Sequence, residues 1–160
     1  MIVLVRCDDR LIHGQCMTVI IHHYDVKRII VVDDFTAGNS ILRTVFQAAA
    51  PPGIDTKVYS VKDAAQPIRE ALDDDVRTLL LMKNPKTYPE IAAEVPDLPK
   101  EFNVGPMSNR KGTTAIQSYI NLLPDEAEAI RRIADSGVHV YFRQVPSQDT
   151  VEWDDVKNKL

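Results

Sequence analysis

The sequence predicts a single α/β domain over residues 1–160, built as an open, doubly wound, mainly parallel sheet with helices on both faces. Two observations carry that expectation. Short runs at 2–5, 28–32, 54–59 and 76–82 are dominated by aliphatic and β-branched residues, as strands buried on both faces must be. Between them lie longer stretches with apolar side chains at helical spacing, the length that crossovers between parallel strands require. The 160 residues suit one compact domain, and a composition of 44% hydrophobic and 26% charged residues is that of an ordinary soluble chain able to bury a core.

In chain order, the first strand at 2–5 runs into the polar turn Arg6-Cys7-Asp8-Asp9-Arg10, and a helix over 14–24 follows, with Met17, Ile20 and Ile21 on one side. A strand at 28–32 leads to a helix at 40–50, closed by Pro51-Pro52-Gly53, and then to a strand at 54–59. Residues 61–72 read as a helix and 76–82 as a continuous apolar strand, which the Asn84-Pro85 step breaks before a short helix at 88–93. Residues 102–104 and 114–119 read as two further strands. Leu123-Pro124-Asp125-Glu126 is a helix start, with proline inside the first turn and carboxylates near the positive end of the dipole. Residues 138–145 alternate Val138, Val140 and Phe142 with His139, Tyr141 and Arg143, the pattern of an edge or half-exposed strand, and a short helix closes the chain within 150–160.

A net charge of −4 and a pI of about 5.5 argue against nucleic acid as a partner, because counterion displacement needs a basic surface. Cys7 and Cys16 form neither a disulfide framework nor a CxxC motif, which points to a reducing, cytoplasmic setting. The MIVLVR run is too short for a signal peptide or a membrane span. Any membrane association is therefore expected to come through a partner.

Chemistry concentrates in the loop after the first strand, Asp8-Asp9-Arg10-Leu11-Ile12-His13-Gly14-Gln15, at the strand end where doubly wound folds place ligands. His13 falls at or just before a helix N-terminus, where free N–H groups and the dipole favour an anion and disfavour imidazolium. A neutral imidazole keeps the lone pair needed for nucleophilic attack. Arg10 supplies a planar cation suited to phosphate oxygens, and Asp8 or Asp9 could fix that guanidinium or hold the imidazole tautomer; the sequence does not say which. Gly14 lets backbone approach a ligand. Gln15, Arg6 and Lys83 are the remaining candidates for phosphate contact. Taken singly, a loop histidine is a solvated residue, an Asp-Asp pair a helix cap and an arginine a surface cation. Their concentration in one loop is what favours function.

The string DDRLIHGQ at 8–15 resembles the signature loop of the mannose/fructose/sorbose-class IIB components of the bacterial sugar phosphotransferase system. The resemblance continues through AAAPPGI at 48–54, LLLMKNP at 79–85, FNVGPM at 102–107 and SGVHVYFRQVP at 136–146. It implies a protein-phosphohistidine–sugar phosphotransferase that accepts a phosphoryl group from a IIA partner on His13, with Arg10 and Asp9 in the catalytic loop. Onward transfer would go to a sugar bound by membrane IIC and IID subunits, with no cofactor and no metal, leaving the chain cytoplasmic but peripheral to the membrane. The sugar, and whether the chain forms a homo-oligomer, stay open. Cys7, Cys16 and Ile20 depart from the residues usual in that family.

Elsewhere, His22 and His23 suit a helix C-terminus better than a metal, and Asp33-Asp34 suit a cap. His139 is expected at the surface, and Arg110 and Lys111 as solvated loop charges or as second contacts to phosphate or a partner. A receiver-like or regulatory phosphate-binding module is the alternative, but a receiver's acceptor carboxylate is missing at the end of the third strand, where Tyr59-Ser60 stands. No GxGxxG or P-loop string occurs.

Overall fold

A computed structural model describes residues 1–12 and 14–160, with Gln15 described in its backbone alone. The elements run β1 (Ile2–Cys7), α1 (Gly14–Tyr24), β2 (Arg28–Val32), α2 (Asp34–Ala37), α3 (Ser40–Ala49), β3 (Asp55–Tyr59), α4 (Val61–Asp73), β4 (Thr78–Met82), α5 (Thr87–Glu94), β5 (Glu101–Val104), β6 (Thr114–Gln117), β7 (Ile120–Leu122), α6 (Pro124–Asp135), β8 (His139–Phe142), β9 (Val151–Glu152) and α7 (Trp153–Val156). The main sheet has the order β3-β2-β4-β1-β5-β8-β9, parallel throughout except where β9 turns back along β8.

The apolar runs at β1, β2 and β4 are central strands, and each is buried on both faces. Val5, Cys7, Ile30, Val32, Leu80 and Met82 pack with residues of α4, α5 and α6 on one face. Leu4, Ile29, Val31, Leu79 and Leu81 pack with Met17, Ile20 and Ile21 of α1 on the other. From β1 the chain winds outward through β2 to β3, then returns through β4 to β5 and β8 on the far side. That reversal beside β1 places its exit loop at the crevice where such folds bind ligands.

Three expectations are corrected. Residues 114–119 form no single strand: β6 and β7 make a separate antiparallel hairpin beside the main sheet, turning at Ser118-Tyr119. The strand at 138–145 is shorter and interior, lying between β5 and β9, so Tyr141 is buried where alternation suggested exposure. The tail adds a two-residue strand, β9, before its helix. The sequence reading also passed over α2, a single turn whose N-cap Asp33 accepts from Thr36 N at 3.0 Å.

Candidate functional site

β1 ends between β4 and β5, and its exit loop is tied to both. Asp8 N donates to Met82 O at 3.0 Å and Asp9 N to Pro106 O at 3.2 Å. The loop then folds tightly on itself. Leu11 N reaches Asp8 O at 3.0 Å, and Asp8 Oδ1 accepts from Arg10 N at 3.0 Å. Leu11 sits at φ 56, a left-handed conformation that costs a bulky residue about 1–3 kcal/mol and persists only where the surroundings over-determine it. Burial supplies that constraint. Leu11 and Ile12, 2% and 3% exposed, plug into the apolar cluster of α1, β1 and β4, and α1 starts two residues later at Gly14. Gly14, at φ 62, has open space where a Cβ would stand, so glycine serves the backbone there.

The acidic pair is held in two ways, Asp8 buried and Asp9 half-buried. Asp9 Oδ2 accepts from Ser108 N at 2.7 Å, which clips the loop to the segment after β5. Asp8 is divided between two arginines: Oδ2 lies 3.4 Å from Arg6 NH2, and Oδ1 lies 3.5 Å from Arg10 Nε, an ion-pair distance without hydrogen-bond geometry. Asp8, then, is the residue that reaches the Arg10 guanidinium, and Asp9 serves the loop's anchorage.

Arg10 keeps part of its side chain exposed, yet its Nε and NH2, like Asp9 Oδ1, are buried and have no hydrogen-bond partner among the described residues. Buried polar atoms without a partner are uncommon in native folds, and each calls for an explanation. Arg10, Asp9 and Gly14 are thus gathered at the head of α1. His13 and the side chain of Gln15 lie outside the described residues.

Arg6 corrects its expected role in phosphate contact. It is 1% exposed and turned into the protein, donating NH1 to Asn103 Oδ1 at 2.6 Å and Arg143 O at 3.2 Å, and NH2 to Gln144 O at 2.9 Å. Burial pushes its pKa down, and the neighbouring Asp8 carboxylate opposes that shift. The strand runs two residues further than its apolar run, to Cys7, which puts Arg6 on the same face as buried Leu4. The supporting residues Asn103, Gly105 and Ser108 went unread as site residues, although they lie in or beside the quoted FNVGPM string.

The other candidates scatter. Lys83 is exposed, just past the end of β4 on the same sheet edge as the loop. Arg110 is bound to Glu126 Oε1 at 2.8 Å and Oε2 at 3.2 Å. His22 and His23 are exposed in the last turn of α1, and His139 bonds Glu152 Oε2 at 2.6 Å on the surface of β8. Ser60, where a receiver would need its acceptor, caps α4 through Asp63 N at 3.2 Å.

Comparison with known proteins gives this arrangement its family. The family model described as "PTS system sorbose subfamily IIB component" matches residues 2–160. The chain belongs to that family. Among its IIB relatives, the fructose-specific EIIB component of Bacillus subtilis is 33% identical over 147 residues, covering 91% of this chain and 89% of the relative. The mannose-specific EIIAB component of Escherichia coli K12 is 31% identical over 157 residues, 98% of this chain but 48% of the relative, so the chain spans about half the length of that two-part protein. The crystal structure of the IIBSor domain of the sorbose permease from Klebsiella pneumoniae superposes with a TM-score of 0.90 at 30% identity, covering 99% of this chain and 96% of that one.

Proposed function

We propose that the chain is the phosphohistidine carrier of a sugar phosphotransferase system: His13 accepts a phosphoryl group from a IIA partner and passes it to a sugar bound by IIC and IID membrane subunits. The observation that carries this reading is the Arg10 guanidinium, whose Nε and NH2 have no hydrogen-bond partner among the described residues, in the loop that leads from β1 into α1. Family membership over residues 2–160 supports it.

Transfer between two imidazoles needs little covalent help from the protein. Both the bond broken and the bond formed join phosphorus to a ring nitrogen, so the step lies near equilibrium and its rate depends on positioning and charge complementarity. In the proposed step neutral His13 attacks in line, the helix-terminal amides from Gly14 onward and Arg10 receive the equatorial oxygens, and Lys83 adds a longer-range positive charge from the β4 exit. Among the described residues, no helix is long and apolar enough to cross a membrane, so in this reading contact with the membrane runs through IIC and IID.

The experiment supplies labelled phosphoenolpyruvate, the general relay proteins and a IIA domain to the wild type and to His13→Gln. Acid-labile label on the wild type alone is the expected result. Label on His13→Gln, or none on the wild type when IIA is itself phosphorylated, overturns the carrier reading.

A further inference from the structure

We propose that Arg6, seated against Gly105, is a positioning residue for phosphoryl transfer, holding Asp8 and through it the Arg10 guanidinium in the attitude that the reaction needs. The proposal rests on the carrier reading above.

Its first support is the cost of the arrangement. An arginine 1% exposed, facing an aspartate 3% exposed at 3.4 Å, gives up hydration that such a pair seldom recovers in stability. A leucine on the same face, as Leu4 shows, would pack the sheet without that penalty. Arg6 Nε is moreover buried with no partner among the described residues, so the guanidinium is not even fully satisfied where it lies.

The second support is what the guanidinium joins. It touches the exits of three neighbouring strands: Asp8 beyond β1, Asn103 within β5, and the carbonyls of Arg143 and Gln144 beyond β8. Asp8 then spends its remaining oxygen on Arg10, on the backbone N–H at 3.0 Å and near Nε at 3.5 Å. Nε and NH2 of Arg10 make no hydrogen bond among the described residues, so the ion pair with Asp8 is the contact that sets where that arginine points, and Arg6 sets where Asp8 points.

Gly105 is the third support. A Cβ there would fall 2.5 Å from Arg6 NH2 and 2.6 Å from its Cζ, distances that real side chains do not tolerate. Its φ is not among the positive ones, so glycine is not required for the turn; it is required so that the guanidinium can lie where it does. A space reserved by one residue for the charged end of another, next to a reactive loop, is what a positioning device demands.

The test uses phosphoramidate as a small donor, so that docking of a protein partner does not enter. Its P–N bond breaks as a P–N bond to His13 forms, ammonia leaves, and the imidazole keeps its other N–H. Arg6→Lys keeps the charge and loses the fork; Gly105→Ala keeps the arginine and displaces it. Each is expected to slow labelling of His13 at saturating phosphoramidate by roughly ten- to a hundredfold, with a smaller change in half-saturating concentration. In an Arg10→Ala background, Arg6→Lys should cost less than about twofold more, because its action passes through Arg10. A folded Arg6→Lys protein that labels at the wild-type rate, or that loses the same factor with Arg10 already removed, overturns the proposal. Should Arg6→Lys and Gly105→Ala fail to fold, Asp8→Asn decides: it preserves shape and cuts the charge link, and an unaltered rate sinks the relay. Failure of the wild type to label His13 defeats the carrier reading itself, a result distinct from all of these.

Discussion

Arg10 and Arg110 both sit in loops at the carboxyl edge of the sheet, and they are used in opposite ways. Arg110 is consumed: Nε donates to Ser108 O, NH1 and NH2 to Glu126, and NH2 also to Asn121 O. Glu126, 1% exposed, raises the arginine's pKa, and it caps α6 through Leu123 N at 2.9 Å. Arg10 has one carboxylate near it, already shared with Arg6, and two nitrogens without hydrogen bonds among the described residues. Whether a loop cation can meet a ligand is thus decided by the carboxylates folded around it. Its own loop sequence carries little of that information.

The sharpest way to break this comparison is to remove each arginine in turn. Arg10→Ala should slow phosphoryl transfer about a hundredfold with the fold intact, the loss typical of one oxyanion donor, and Arg10→Lys about tenfold. Arg110→Ala should leave the rate per folded molecule unchanged. Equal losses in a rapid-quench transfer assay would dissolve the distinction.

Stability should show the reverse order. Arg110→Ala strands a buried carboxylate and should cost about 2 kcal/mol, read from denaturant midpoints, whereas Arg10→Ala should cost less than about 0.5 kcal/mol. Glu126→Ala should resemble Arg110→Ala, since it removes the ion pair and the helix cap together.

A smaller effect separates scaffold titrations from the site. Burial raises the phenols of Tyr88 and Tyr141 to about 12. A raised folded pKa contributes stability that is complete below the unfolded value near 10 and is lost as pH climbs through about 12. Asp74 behaves oppositely: its carboxyl is held well below the usual range by the bidentate Arg28, at 2.7 and 2.9 Å, and that contribution is lost as pH falls below about 4. Tyr141→Phe should therefore flatten the alkaline limb of a thermal-melt profile and Asp74→Asn the acid limb, with transfer at neutral pH unaffected by either.

Least of all should alkylation disturb the protein. Cys7 is fully buried with its thiol pKa pushed up by burial, so iodoacetamide should spare it in the folded state while reaching the partly exposed Cys16. Modified Cys7 by mass spectrometry would mean that β1 opens.

The comparison also explains what could be read in advance. β2 and the strands around it were legible because burial on two faces leaves an uninterrupted aliphatic run, and α1 because Met17, Ile20 and Ile21 share a face. The DDRLIHGQ loop stood out because charged and polar residues crowd on either side of the Leu11-Ile12 pair within eight positions. The turn at Ser118-Tyr119 was not, since it carries neither Gly nor Pro, and the hairpin it closes read as one strand. β9 is only two residues long and takes its structure from β8. Arg110 read as a solvated loop charge or a second phosphate contact because Glu126, which holds it, belongs to another element. Arg6 was misread because the apolar run stops at Val5, whereas β1 continues through Cys7 and carries Arg6 into the core.

The central place of β1 carries a kinetic consequence. The first strand in chain order has no local partner: Ile2 pairs with Thr78 and Cys7 with Val104, so both of its flanks come from chain made much later. Contacts of such sequence separation form slowly, after loop closure has been met elsewhere. During synthesis the reactive loop, made well before β5, must wait for that strand and for the clip at Ser108 before it acquires a shape. A nascent chain arrested before residue 108 would carry the whole motif and no site.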